Sequence, residues 1–288
     1  MAVFKAIGSG IGTASRKPGV LFTLWVFNLV YAALIVAPCY ALIKADLGHS
    51  LFGRGLQLLD FLWLGEFIYR YQAAAPAMMA WVMTPLVLYV VLYIFLNGGI
   101  IGRLLDREGR TTLQAFFSDC GRYFWRFVRL FIWSALFYVL AFGGVLAGLG
   151  RLLRPVVDQA RTEWTPFWIS GLQTIVALVL LSLVQMILDY ARILVVAEDE
   201  RRTVSALRKA LGFIRRRFFR SWSLYLLVSA GFLAGAALYF GVYGLLPGSG
   251  LLWLGLGVFW GQAFVVFRLW IKMVFFSAQA EYFRLSSE

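Results

Sequence analysis

Four ionisable residues fall within long apolar runs of the chain, where a charge is costly to bury. Asp189 and Arg192 are three residues apart, and Arg268 and Lys272 are four apart, so each pair lies on one face of a helix. Charged groups inside a bilayer commonly pair with one another and line a substrate or ion pathway. We therefore predict a polar pathway cluster formed by Asp189, Arg192, Arg268 and Lys272, together with Asn97.

Position along the span allows a second interpretation of this cluster. Asp189 lies 22 residues beyond Phe167, which is about 33 Å along a straight helix and reaches the membrane interface. Long basic side chains at that depth extend to the lipid headgroups. The cluster is either a gate at the cytoplasmic mouth of a pathway or an interfacial structural feature. Asn97 lies 92 residues before Asp189, so the two could face each other across a pseudo-symmetry axis.

Residues that could carry catalysis are scarce. His49 is the only histidine, which excludes a His-based triad or a multi-histidine metal site within one chain. The glycine-rich run 8–12 lacks the full Gly-x-Gly-x-x-Gly spacing and the preceding strand of a nucleotide-binding loop. We expect no catalytic, cofactor-binding or metal-binding residues, and no cofactor.

The elements that must position these residues are membrane spans. Hydrophobic residues make up 61% of the chain and charged residues 14%, against about 25% charged in a typical soluble domain. The stretch 222–267 contains no Asp, Glu, Lys, Arg or His and is interrupted by the run Pro-Gly-Ser-Gly at 247–250. A span needs about 20 apolar residues. The stretch therefore predicts two spans joined by a tight turn.

We predict six spans in a single all-α polytopic membrane domain over residues 1–288. No convincing cleavage site follows the N-terminal segment, so span one should remain as an anchor. The predicted spans are 20–43, 78–101, 130–150, 167–197, 222–246 and 251–280. Glycines at small-xxx-small spacing predict close helix packing on three of them, namely Gly144 and Gly148, Gly231 and Gly235, and Gly257 and Gly261.

The unequal distribution of Lys and Arg residues predicts how the chain is oriented in the membrane. Most of the 27 Lys and Arg residues lie on the side that holds both termini and the two long loops. The positive-inside rule places that side in the cytoplasm of a bacterial inner membrane. The net charge of +13 follows from these membrane-adjacent residues, so anionic lipid rather than nucleic acid is the expected partner.

The two long cytoplasmic loops share an order of features and predict span pairs in repeat. Acidic and basic residues at 106–111 and at 198–203 each precede an amphipathic helix. In the first, a Thr111 and Gln114 capping box should start the helix, and one apolar face carries Leu113, Phe116, Phe117, Cys120, Phe124 and Phe127.

The second amphipathic helix predicts contacts with lipid headgroups, because a basic helix of this kind lies in the membrane interface. Its apolar stripe is formed by Val204, Leu207, Leu211, Ile214 and Phe218. The opposite face carries the predicted headgroup contacts, which are Arg208, Lys209, Arg215, Arg216 and Arg217. On the outer side, the run 56–71 predicts a surface helix that either lies on the membrane or caps a cavity.

Several short runs resemble a family of uncharacterised bacterial six-span inner-membrane proteins. They are Leu-Trp-Val-Phe-Asn-Leu at 24–29, Leu-Gly-His-Ser-Leu at 47–51, Asn-Gly-Gly at 97–99 and Asp-Tyr-Ala-Arg at 189–192. The architecture is also loosely similar to the membrane domain of glycerophosphodiester phosphodiesterases, without a counterpart of their catalytic domain. The resemblance implies an inner-membrane location and no activity.

Three function classes remain open on sequence alone. The first is a non-enzymatic permease-like or lipid- or amphiphile-handling component, which the predicted repeats and polar cluster favour. The second is a structural or accessory subunit of a larger membrane complex, which the scarcity of polar groups within the spans favours. An intramembrane enzyme is the third. A transporter should show a chamber lined by some of Asn28, Asn97, Gln185, Asp189 and Gln262.

Overall fold

A computed structural model describes residues 2–47, 75–106, 112–160, 162–245 and 251–287, together with Gly65 and Tyr69. Every regular element in these ranges is a helix. The predicted outer-surface helix, apart from Gly65 and Tyr69, and the predicted turn at 247–250 lie outside the described residues.

The described helices are numbered here in chain order. Their bounds are α1 Ala2–Ser15, α2 Pro18–Leu47, α3 Ala75–Leu105, α4 Leu113–Tyr138, a π-helical segment Val139–Leu146, α5 Ala147–Asp158, α6 Trp164–Ala197, α7 Thr203–Arg216, α8 Phe218–Leu245 and α9 Leu251–Ser287.

Six helical runs of the described residues are long and apolar enough to cross a membrane, which confirms the predicted all-α class and matches the predicted number of spans. The third differs from its prediction, because α4, the π-helical segment and α5 form one continuous helical run of 46 residues. The first amphipathic stretch is therefore continuous with the third candidate span rather than a separate helix. Cys120, which we expected in a cytoplasmic loop, is buried within α4.

The start of α4 lies one residue later than the predicted capping box. Thr112 is the N-cap, with extended backbone angles of φ −90° and ψ 149°, and its hydroxyl accepts from the N–H of Ala115. The distance between those two atoms is 3.2 Å. The box with Thr111 as N-cap was wrong, because the neighbouring threonine provides the cap.

Helix α7 packs on α6, and its buried face matches the predicted stripe at Leu207 and Ile214 only. Its buried residues are Thr203, Ala206, Leu207, Ala210 and Ile214. Val204 and Leu211, both placed in the stripe by the sequence, stay 48% and 51% exposed. The small side chains of Ala206 and Ala210 explain the shift, since they let the two helices approach closely.

The chain forms two compact units, and the two are described separately here. Unit 1 contains Met1–Lys17, Ile94–Gly231 and Ile271–Glu288, and unit 2 contains Pro18–Tyr93 and Phe232–Trp270. The predicted polar residues fall mostly in unit 1, and the expectation of one domain over 1–288 stays a prediction.

Unit 2 is held together by aromatic rings and a few polar bonds. The indole N–H of Trp25 donates to Oε1 of Gln262 at 2.9 Å. The ring of Tyr239 stacks on that of Phe264, with centroids 4.3 Å apart. Asn28 is also engaged, because its Nδ2 donates to the carbonyl of Leu24 at 2.8 Å. Asn28 and Gln262 therefore act as packing polar groups in this unit.

The predicted small-residue contacts are mostly absent from the described chain. A Cβ added at Gly144, Gly148, Gly231 or Gly257 would meet no atom of another described residue within 4 Å. Among the six glycines, Gly235 does make a close approach, since a Cβ there would overlap the ring of Phe267. The spacing identifies small residues but not the helix that packs on them.

Candidate functional site

A cavity of about 550 Å³ lies in unit 1 where α3 and α6 end. Its volume falls within the range of small-molecule sites, about 300–1,000 Å³. The lining is amphipathic, because charged side chains alternate with apolar ones such as Leu104, Ile193 and Phe283. The charged lining residues are Arg103, Asp106, Asp119, Arg122, Glu198, Glu281 and Arg284.

A buried ion pair forms one wall of the cavity. Two nitrogens of Arg103, Nε and Nη2, donate to Oδ2 of Asp119 at 2.7 and 2.6 Å. Both side chains are nearly buried, at 13% and 14% exposed. A third nitrogen, Nη1, lies 3.1 Å from Oδ2 of Asp106. Three of the Arg103 nitrogens are therefore fixed by carboxylates, so this wall is rigid.

Glycines on α3 allow Asp119 to reach Arg103. A Cβ at Gly99 would lie 2.6 Å from Sγ of Cys120, and one at Gly102 would lie 2.5 Å from Oδ2 of Asp119. A Cβ at Gly98 would lie 3.0 Å from the carbonyl oxygen of Asp119. Helix α4 is thus seated in a glycine groove of α3, and a larger side chain at 99 or 102 would separate the helices.

Lys17 closes the end of α3 beside this pair. Its Nζ donates to the carbonyl oxygens of Arg103 and Asp106. These oxygens belong to the last turn of α3 and the residue after it, where carbonyls have no partner within the helix. Burial lowers the pKa of Lys17, and the charge of Asp106 opposes that shift.

Helix α1 packs against α9 and brings Thr13 to the cavity. A Cβ at Gly10 would lie 2.7 Å from the backbone N of Ala278. Ala6 and Ala14, one turn on either side of Gly10, are buried on the same face. The three small residues let the two backbones approach, which explains Gly10 within the glycine-rich run.

The acidic turn between α6 and α7 is bound by basic residues from two helices. Asp199 accepts from Arg126 at 2.5 Å and from Arg122 at 2.9 Å. Its φ of 48° is left-handed, a conformation that aspartate tolerates better than most residues. Hydrogen bonds from Arg126 and then Arg122 lower the pKa of Asp199.

The other two acids of this turn bind Lys209 of α7. Nζ of Lys209 lies 2.6 Å from Glu198 and 3.2 Å from Glu200. These bonds raise the pKa of Lys209. The backbone N–H of Arg202, followed by Lys209, lowers the pKa of Glu200. Lys209, a predicted headgroup contact, is therefore already paired within the protein.

Two acceptors on α9 line the inner part of the cavity. Ser277 is 5% exposed, and its hydroxyl has no hydrogen-bond partner among the described residues. Glu281 follows one turn later, and its carboxylate is 12% exposed and accepts from Arg284 at 3.1 Å. An unpartnered buried hydroxyl is uncommon in folded proteins and suits a site that receives a ligand.

The predicted polar cluster lies on the same two helices as the inner cavity wall. Arg192 donates to Asp189 at 2.6 Å, and the two side chains are 20% and 13% exposed. Lys272 and Gln279 of α9 lie within electrostatic reach of Asp189. The structure therefore brings Asp189, Arg192 and Lys272 together.

The remaining predicted pathway residues do not join this group. Asn97 is 3% exposed, and its Oδ1 has no partner among the described residues. Arg268 belongs to unit 2, where it interacts electrostatically with Tyr89. None of the five predicted pathway residues lines the cavity.

The predicted headgroup contacts on α7 have unequal surroundings. Arg208, Arg215 and Arg216 are exposed. Arg217 is partly exposed, and its guanidinium lies over the ring of Phe213 at 5.8 Å from the centroid. Three of the five predicted cations thus remain open to a partner on this face.

A second cavity of about 470 Å³ lies beside the π-helical segment in unit 1. Phe142, Leu146 and Gly150 line it on one side, and Gln173 and Thr174 of α6 line it on the other. The hydroxyl of Thr174 donates to the carbonyl of Ser170 at 2.8 Å. The cavity is mostly apolar, and none of the residues predicted to line a chamber borders it or the larger cavity.

Sequence reasoning missed most of the larger cavity. The charge analysis placed Arg103 and Lys17 only among the basic residues of the cytoplasmic side, and it did not single out Asp119. The run Asn-Gly-Gly at 97–99 followed by Gly102 was the available signal, because glycines three and four apart mark a helix groove. It does not reveal which helix fills the groove.

Within the described residues, no group of three or more His, Cys, Asp and Glu could hold a metal ion.

Comparison with known proteins gives no family assignment. No protein-family model, no curated protein and no solved structure matches this chain.

Proposed function

We propose that this chain is a non-enzymatic, permease-like component of the bacterial inner membrane that handles lipids or other amphiphiles. The cavity of about 550 Å³ is the observation that carries the proposal. Its walls combine fixed charges with apolar side chains, as a molecule with a polar head and an apolar part requires. The Asp189 and Arg192 pair on α6, one of the helices that line it, supplies a second polar group within a span.

The charge distribution supports the proposed location and orientation. Basic residues cluster beside the cavity end of the chain, and the positive-inside rule puts that end in the cytoplasm. Arg208, Arg215 and Arg216 are exposed beside the apolar Leu211, so this face of α7 can contact anionic headgroups. The cavity would then open near the inner leaflet.

A helix repeat is also part of the proposal. Helices α3 and α6 end 92 residues apart, at Leu105 and Ala197, and each is followed by a helix with one buried face. Both ends border the cavity. Sites between repeats are common in transporters.

Lipid movement in reconstituted vesicles tests this proposal. Purified protein is placed in liposomes that contain a trace of a headgroup-labelled fluorescent phospholipid, and dithionite then reduces the label on outer-leaflet lipids. We expect more than half of the fluorescence to be lost in protein vesicles and about half in protein-free ones. Asp189→Asn and Arg192→Ala should slow the movement. Identical loss with and without protein would contradict lipid movement as the function.

One observation favours an accessory subunit as the alternative. The positions Gly144, Gly148, Gly231 and Gly257 have no described neighbour within 4 Å of an added Cβ. A helix of another subunit could approach closely at such positions. Co-purification at fixed stoichiometry with another membrane protein would support this alternative.

A further inference from the structure

The inner part of the cavity presents hydrogen-bond acceptors. Ser277 and Glu281 lie four residues apart on α9 and both line the cavity. The hydroxyl of Ser277 is buried without a partner among the described residues, and the Glu281 carboxylate is only 12% exposed. A carboxylate can only accept hydrogen bonds, and a serine hydroxyl can accept as well as donate. This part of the lining therefore suits a ligand group with several N–H donors.

Exposed cations lie at the rim of the same cavity. The side chains of Arg122 and Arg284 are 56% and 50% exposed, against 13% for Arg103 in the wall. Arg122 is bonded to Asp199 and Arg284 to Glu281, both through Nη2. A guanidinium carries five N–H donors, so each can also bind an anionic group. Phosphate and carboxylate are the anions that arginine binds best.

From this arrangement we propose that the cavity binds a zwitterion with a primary ammonium and an anionic group. The ammonium lies against Ser277 and Glu281, and the anionic group lies at Arg122 and Arg284. This ligand class rests on the proposed function, since it specifies which amphiphile the cavity receives. The same chemistry occurs in an ethanolamine phospholipid headgroup and in a small free zwitterion.

Binding of matched probes to the full-length protein tests the ligand class. The protein in a mild non-ionic detergent is titrated calorimetrically with dihexanoyl lipids, each below its critical micelle concentration, whose headgroup is phosphoethanolamine, phosphocholine or phosphoglycerol. Phosphocholine has the same charges but no N–H donors, and phosphoglycerol has no cation. We expect the phosphoethanolamine lipid to bind about tenfold more tightly than either, because only its headgroup carries a cation that donates hydrogen bonds to the acceptors. Equal or tighter binding of the phosphoglycerol or phosphocholine lipid, or no binding of any probe, would overturn the proposal.

Free O-phosphoethanolamine distinguishes the two sources of this chemistry. Equal affinity for the free compound and the lipid identifies a soluble zwitterion as sufficient. Binding of the lipid alone identifies a lipid headgroup whose acyl chains contribute. Both results support the ammonium and anion pairing, provided that the headgroup preference holds.

Two substitutions locate the ammonium. Glu281→Gln removes the charged acceptor and should weaken phosphoethanolamine binding about tenfold, while phosphocholine binding falls less. Ser277→Ala should weaken it by a smaller factor and is the variant to use if Glu281→Gln does not fold. Glu163→Gln, an exposed acid outside the cavity, and Ser134→Ala, a buried serine bonded to the Phe131 carbonyl, are the controls. Unchanged affinity and unchanged headgroup preference in both cavity variants would overturn the assignment.

Failure of this inference is distinguishable from failure of the proposed function. Selective binding without lipid movement in vesicles retains the ligand class and rejects the permease. Movement of all headgroups at one rate, without selective binding, retains the permease and rejects the ligand class.

Discussion

At the residue scale, the pair Arg103 and Asp119 decides the shape of the cavity wall. Two charges that are 13% and 14% exposed are stable only if they remain paired. Their atoms are 2.6 Å apart, and a second nitrogen of Arg103 shares the same oxygen. Removal of Asp119 would leave the buried Arg103 with only the more exposed Asp106 as a counter-charge.

We predict that Asp119→Ala destabilises the protein by about 3–5 kcal/mol, the cost of breaking a buried pair. The double variant Arg103→Met with Asp119→Leu should recover part of this loss, because no buried charge is then left over. Asp158→Ala is the control. The side chains of Asp158 and its partner Arg154 are 65% and 80% exposed, and such surface pairs contribute about 0–1 kcal/mol. Chemical unfolding in detergent micelles measures the three effects. A loss for Asp119→Ala no larger than that for Asp158→Ala would contradict a buried pair.

The acidic turn supplies a prediction about pH. The pKa of Asp199 is lowered, so its bonds to Arg126 and Arg122 add stability above the ordinary value of 3.8. That stability is lost as the pH falls through the lower folded-state value. Asp199→Asn keeps a residue that tolerates positive φ and should lower the thermal midpoint at pH 6, with a difference that shrinks in acid. A difference that does not change with pH would show that the charge of Asp199 is not involved.

At the element scale, α1 is the helix that the sequence did not reveal. Its buried residues are Ala6, Gly10 and Ala14, which are too small to give a strong apolar signal. Hydropathy detects spans because they need long apolar runs, but a short helix that packs by close backbone approach has no such run. The closeness of Gly10 to Ala278 could be found only in three dimensions.

Enlarging Gly10 tests the docking of α1. Gly10→Leu places a side chain where even a Cβ would lie 2.7 Å from the Ala278 backbone, so α1 should detach from α9. We expect faster hydrogen–deuterium exchange of residues 2–15 and of the last turn of α3, which Lys17 caps. Gly8→Leu and Gly12→Leu are the controls, since within the described part of the chain no residue outside the local helix lies within 4 Å of a Cβ there. Equal exchange in all three variants would rule out this contact as the anchor of α1.

The helices of the two amphipathic stretches show where periodicity is informative. The apolar pattern predicted where α4 and α7 begin to within a few residues, but the buried faces match the predicted stripes only in part. In α7, Ala206 and Ala210 are buried while Val204 and Leu211 are exposed. The buried face of α7 therefore contains small residues, and a pattern of large apolar residues does not identify such a face.

At the scale of the whole molecule, composition and span length were sufficient to predict the all-α class and the six span-length helices found in the described residues. They could not predict the cavity, because its walls come from α1, α3, α4, α6 and α9, which are far apart in the chain. The polar cluster was predictable in part. Asp189 and Arg192 share one helix and their spacing indicates the pair, whereas the contact of Lys272 depends on how α9 packs.

The most direct test of the account is native mass spectrometry of the protein extracted with a gentle detergent from the membranes that normally hold it. A permease-like component that handles amphiphiles should appear as a monomer or homo-oligomer that carries a defined lipid or small molecule. Glu281→Gln should reduce the occupancy of that ligand, because Glu281 lines the cavity. Isolation at fixed stoichiometry with other subunits, and without a ligand in the cavity, would contradict the account and identify the chain as an accessory subunit.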